Sequence, residues 1–134
     1  MKLKYLLPAI IWSFIILWLI SIPGSSIPET PFLNIPHFDK LVHAIIFAVF
    51  AFLVSYGLFM QKNSVFSRYH YTITLVLGVV FSVVTEWIQL EFVVGRSGEF
   101  MDLVADLAGC LLGMIAFYYR KYYIPTKLLK KYCF

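Results

Sequence analysis

The sequence predicts an all-α, polytopic membrane protein: four transmembrane helices in a compact bundle, forming a single domain over 1–134. Three observations predict it. Of 134 residues, 61% are hydrophobic and only 13% charged, against about 25% charged in a soluble domain. The mean hydropathy is +0.84. The apolar residues gather into four runs, each near the ~20 residues that cross a bilayer core of about 30 Å.

The first run covers about 6–22. Lys2 and Lys4 precede it and Gly24 to Ser26 follow it, an order shared with secretory leaders. It exceeds the usual apolar core of roughly 7–15 residues and lacks an A-x-A-like site, so an uncleaved helix is expected. Pro23, Pro28, Pro31 and Pro36 then forbid a continuous helix. The second run covers 41–59 and the third 73–90, joined by a short polar segment from Gln61 to His70. Gly95-Arg96-Ser97-Gly98 reads as a charged turn before the fourth run, 103–119.

Of the 11 Lys and Arg, only Lys40 and Arg96 fall on one side of this layout. The positive-inside rule then puts both termini in the cytoplasm. All 7 acidic residues lie on the outer side, with Lys40 and Arg96, or in the outer part of a helix, which points to function at the outer face. Tyr118, Tyr119, Tyr122 and Tyr123 suit an interfacial belt. The basic residues flank apolar runs without forming a groove-lining array, so no nucleic-acid partner is expected. Cys110 and Cys133 have neither metal-ligand nor redox spacing.

The polar residues inside the runs carry the functional signal. Asp39 and His43 are four apart, Glu86 and Gln89 three apart, Asp102 and Asp106 four apart. Each spacing places a pair on one helix face. All three pairs fall at the same end of the layout, so they form one candidate site. A carboxylate at the centre of an inserted helix costs roughly 2.5–3.5 kcal/mol, which argues against an incidental position. Asp39 and Asp102 also sit where an N-cap belongs. Arg96 can pair with Glu86 or meet a phosphate. Gly109 and Gly113, with Ala105 and Ala116, make a small-residue face for close helix packing.

Asp39-Lys40-Leu41-Val42-His43, Glu86-Trp87-Ile88-Gln89, Gly95-Arg96-Ser97 and Asp102 with Gly109 and Gly113 together resemble the VanZ-like family of small bacterial membrane proteins. Val94 stands where that family often has Pro, and Asp106 where it often has Asn. The resemblance implies a multi-pass protein of the bacterial cytoplasmic membrane, linked to susceptibility to teicoplanin-type glycopeptides. The expected partners are membrane lipid and a lipid-linked envelope precursor or the glycopeptide itself. The functional cluster would comprise Asp39, His43, Glu86, Gln89, Arg96, Asp102 and Asp106, with Lys40 and Arg96 meeting an anionic group. No catalytic motif of recognised specificity is present, and no cofactor or metal is expected. Two other readings stay open: a membrane-embedded enzyme acting on a lipid-linked phosphate or sugar through the His and carboxylates, and a structural bundle whose polar cluster fixes helix register.

Overall fold

A computed structural model describes residues 2–22, 38–61, 64–93 and 99–123, and these are helical almost throughout. A 3-10 turn at Leu3–Tyr5 leads into α1 (Leu7–Ile20), which Pro8 begins at a position where a missing N–H costs nothing. Helix α2 is Phe38–Phe59 and the one-turn α3 is Val65–Arg68; α4 is His70–Phe92 and α5 is Phe100–Tyr123. Helices α2, α4 and α5 are long and apolar enough to cross a membrane. The 14 residues of α1 reach only about 21 Å at 1.5 Å per residue. The sequence did not foresee α3. Ser64 initiates it by accepting a hydrogen bond from the Ser67 backbone N–H at 3.2 Å.

The polarity of α4 is inverted relative to a soluble amphipathic helix. Its buried residues are His70, Thr74, Gly78, Ser82, Thr85, Glu86 and Gln89, every one polar or glycine. Val76, Val80, Val83, Trp87 and Leu90 point outward. Lipid solvates the apolar face as well as a protein core would, so the polar face is the one that must be buried against protein. Near the start of α4, Ser55 of α2 donates to Thr74 at 3.1 Å with both hydroxyls buried.

Helix α2 is central and touches α1, α4 and α5. Its tightest partner is α5, because a Cβ at Gly109 would collide with the Ala44 carbonyl and one at Gly113 with the Ala48 carbonyl. Both contacts advance by four residues along both chains, so α2 and α5 run parallel with backbones touching. Helix α4 runs antiparallel to them, with Gly78 against the Cys110 side chain and Ser82 against Asp106. Helix α1 leans on α2 through Ala9, Ile16 and Ile20, and the Trp12 indole N–H donates to the Ile46 carbonyl at 2.9 Å.

The two ends of the bundle differ in charge. Asp39, Glu99 and Asp102 gather where α2 and α5 begin. At the other end Arg120 lies 5.6 Å and 5.3 Å from the ring centres of Phe52 and Tyr56, and Lys121 lies 4.4 Å from that of Phe59. Acids in the first turn and bases in the last turn of α5 also suit its helix dipole.

Candidate functional site

Three helices each deliver polar side chains to one level near the acidic end. His43 stands one turn into α2, Asp106 one turn into α5, and Ser82 and Glu86 in the last turns of α4. They meet because the glycine seam sets α2 and α5 so close that side chains one turn above it must interlock.

The centre is Asp106, which is 0% exposed. His43 Nδ1 donates to its Oδ1 at 3.0 Å and the Ser82 hydroxyl donates to its Oδ2 at 2.7 Å. Each oxygen of the Asp106 carboxyl thus has one hydrogen-bond partner, the first served by the Nδ1–H tautomer of His43. Glu86 comes within 3.9 Å of the same nitrogen through Oε1. Thr85 turns its hydroxyl back to the Ser82 carbonyl at 2.8 Å, which satisfies it within α4. Gln89, also buried, shares the face of Glu86.

A second tier closes over the first. Lys40 Nζ lies 2.6 Å from Glu99 Oε2 and 3.1 Å from Asp102 Oδ1. Asp102 is buried and Glu99 half exposed, so the ammonium joins an inner carboxylate to a rim one. Asp39 is exposed, on the first turn of α2. Neither Asp39 nor Asp102 acts as the cap: each stands inside the first turn, where its charge still favours the helix N-terminus.

Six of the seven cluster residues read from the sequence thus lie at one end of the bundle. The seventh, Arg96, lies outside the described residues, as does the Gly-Arg turn around it. Sequence reasoning missed Ser82, Thr85 and Glu99, and it assigned Lys40 to an anionic ligand where the structure ties that ammonium to two carboxylates. The signal for Ser82 was present, since Ser82, Glu86 and Gln89 follow an i, i+4, i+7 series on one helix face.

The order of groups limits the chemistry. In a nucleophilic relay the histidine stands between hydroxyl and carboxylate. Here the carboxylate stands between them, and Ser82 has no imidazole to take its proton. The arrangement is a buried cluster rich in carboxylates. Ligand atoms of His43, Glu86 and Asp106 lie within 4.8 Å of one another, as do those of Asp39, His43 and Asp102, so either set could surround a cation or a donor group. Among the described residues at this end, Lys40 is the only Lys or Arg, against six carboxylates (Asp39, Glu86, Glu91, Glu99, Asp102 and Asp106).

A family model described as VanZ/LLP1 matches residues 5–122. Comparison with curated proteins and with solved structures returned no match. The matched stretch takes in every element from α1 to α5 and the whole polar cluster.

Proposed function

Because the chain belongs to the VanZ/LLP1 family, we propose that it is a cell-envelope membrane protein that influences susceptibility to teicoplanin-type glycopeptides through the cluster at its acidic end. The ligand is a lipid-linked envelope precursor, or the glycopeptide that competes for it. The observation that carries this reading is the gathering of carboxylates from α4 and α5 around His43 of α2, with Asp106 Oδ1 at 3.0 Å and Glu86 Oε1 at 3.9 Å from its Nδ1. A cluster whose Lys40 is already bound to Glu99 and Asp102 is best suited to the hydroxyl, amide and ammonium donors of a sugar-peptide head group. Arg96, next to it in sequence order, supplies the fork for the anionic part.

The test is a glycopeptide-susceptibility assay with membrane abundance measured in parallel. Glu86→Gln keeps the side-chain shape and removes the charge, so the expected result is loss of the effect at normal abundance. Arg96→Lys should fail likewise if two-point recognition matters. Retention of full effect by both variants would reduce the cluster to scaffolding.

One observation favours a second reading, a network that fixes helix register. Asp106, His43 and Ser82 are all buried and satisfy one another. Under that reading Glu86→Gln and Asp106→Asn lose fold and abundance together, and a membrane-permeant carbodiimide leaves both carboxyls unmodified in the native protein. Under the binding reading Glu86 reacts, and excess precursor slows the reaction.

The binding reading also requires the acidic end to face outward, with both termini in the cytoplasm, as the distribution of Lys and Arg suggests. Single cysteines from Ser25→Cys and Asn63→Cys, in a background without Cys110 and Cys133, test this. An impermeant thiol reagent added outside should label the first and spare the second; the reverse pattern inverts the assignment.

A further inference from the structure

Helix α1 rests on α2 and only grazes α4, which leaves a lateral groove between α1 and α4 with α2 as its floor. The groove encloses about 430 Å³ and runs from Leu3, Leu6 and Leu58 at the basic end to Phe50 and Val84 near mid-bundle. Its single polar lining residue is Ser13, whose hydroxyl is already donated to the Ala9 carbonyl at 2.9 Å. Nothing along the groove asks an occupant for a hydrogen bond, which suits a hydrocarbon chain and nothing polar.

The foot of the groove has the opposite character, and its backbone is pinned. The Lys2 backbone N–H donates to Gln61 Oε1 at 2.8 Å, and Gln61 Nε2 donates back to the Lys2 carbonyl at 3.0 Å. The Tyr5 carbonyl sits where a Cβ on Gly57 would be, so the 3-10 turn lies flat on the end of α2. That docking sets Leu3 into the groove with the exposed residues Lys2 and Lys4 on either side of it. Arg68, exposed at the end of α3, adds to the positive charge of this end, where Arg120 and Lys121 also lie.

We propose that this groove is a binding site for one anionic phospholipid, with an acyl chain laid between α1 and α4 and the phosphate held by Lys2 and Lys4. An apolar slot whose end residue, Leu3, is flanked in the chain by two exposed lysines with long, flexible stems is complementary to such a lipid in both halves. A zwitterionic lipid matches the slot equally well, but its head group is neutral overall. The charge pair therefore supplies the selectivity, at about fivefold per lysine. The bound chain fills the space that the weak α1–α4 contact leaves and ties α1 to the bundle.

The experiment uses the full chain released from nanodiscs that contain equal amounts of phosphatidylglycerol and phosphatidylcholine, with retained lipid counted by native mass spectrometry. The expected result is one phosphatidylglycerol kept per chain, and a rise in unfolding temperature on adding that lipid to delipidated protein. Lys2→Gln with Lys4→Gln should abolish the preference while leaving chain occupancy. Val80→Trp should fill the groove and abolish retention; Val80 is 55% exposed, so the added bulk does not enter the core. Leu75→Trp, on α4 but outside the groove, controls for bulk on that helix and should behave as the unaltered chain. Equal retention of the two lipids by the unaltered chain overturns the proposal, as does unchanged retention in Val80→Trp. A dimer that Val80→Trp converts to monomer, with no lipid bound, would make the occupant a second copy and overturn it too.

Discussion

The α2–α5 seam and the α1–α2 seam join helices of similar apolarity by different means. Between α2 and α5, no side chain separates the helices at Gly109 and Gly113, and backbone meets backbone at Ala44 and Ala48. Between α1 and α2, Ala9, Trp12, Ile16 and Ile20 provide side-chain packing. A side chain can change rotamer when its neighbour changes, whereas two touching backbones have no such freedom. The first seam therefore holds its helices in one fixed relation, and it is the seam beside which His43 and Asp106 meet at 3.0 Å. The second leaves room for a groove. In a medium where lipid competes for every apolar surface, shape complementarity decides which helices stay together.

Substitutions at four positions break or sharpen this contrast. Gly109→Leu should have the largest effect, about 3 kcal/mol or more, since the usual cost of overpacking applies here to a backbone that cannot move aside. Thermal unfolding in detergent measures it, and an unchanged midpoint would mean that α5 does not approach α2 closely at Ala44. Next comes Asp106→Ala, which removes the acceptor of both His43 and Ser82. A loss of about 1–3 kcal/mol is expected, because Glu86, 3.9 Å from His43 Nδ1, can accept in place of Asp106. Asp106→Asn should recover part of that loss, since its amide oxygen still accepts from Ser82. Toward the basic end, Ser55→Ala deletes the hydroxyl that donates to Thr74, for about 0.5–1.5 kcal/mol in the same assay. The smallest change belongs to α1. Phe14 is 68% exposed, so Phe14→Ala should stay within about 0.5 kcal/mol. A cost there that rivals Gly109→Leu would put the rigid seam on the wrong side of α2.

The cluster illustrates how far spacing alone can be read. Asp39 with His43, Glu86 with Gln89, and Asp102 with Asp106 are legible because a helix of 3.6 residues per turn stacks side chains three and four apart whatever surrounds it. Ser82 was legible by the same rule and was overlooked, because a hydroxyl in an apolar run is inexpensive and attracts less notice than a carboxylate. Lys40 was legible as a cation but its partners were not. Glu99 and Asp102 are about sixty positions away in the chain, and no local pattern encodes which distant helix start lies opposite. The short helix α3 escaped as well, since one turn with a serine cap leaves almost no periodic trace.

Composition and the order of apolar runs determined an all-α membrane bundle, the division of acidic from basic ends, and the faces on which the polar pairs lie. These follow from the cost of leaving backbone or charge unsatisfied in hydrocarbon, a cost each segment incurs by itself. Only the tertiary structure decided that α5 packs parallel to α2, that Gly109 and Gly113 meet Ala44 and Ala48, that Asp106 joins His43 to Ser82, and that α1 stands off from α4. Those outcomes depend on how whole helix surfaces fit one another. Every candidate partner in the membrane is equally apolar, and only the complete set of contacts distinguishes them.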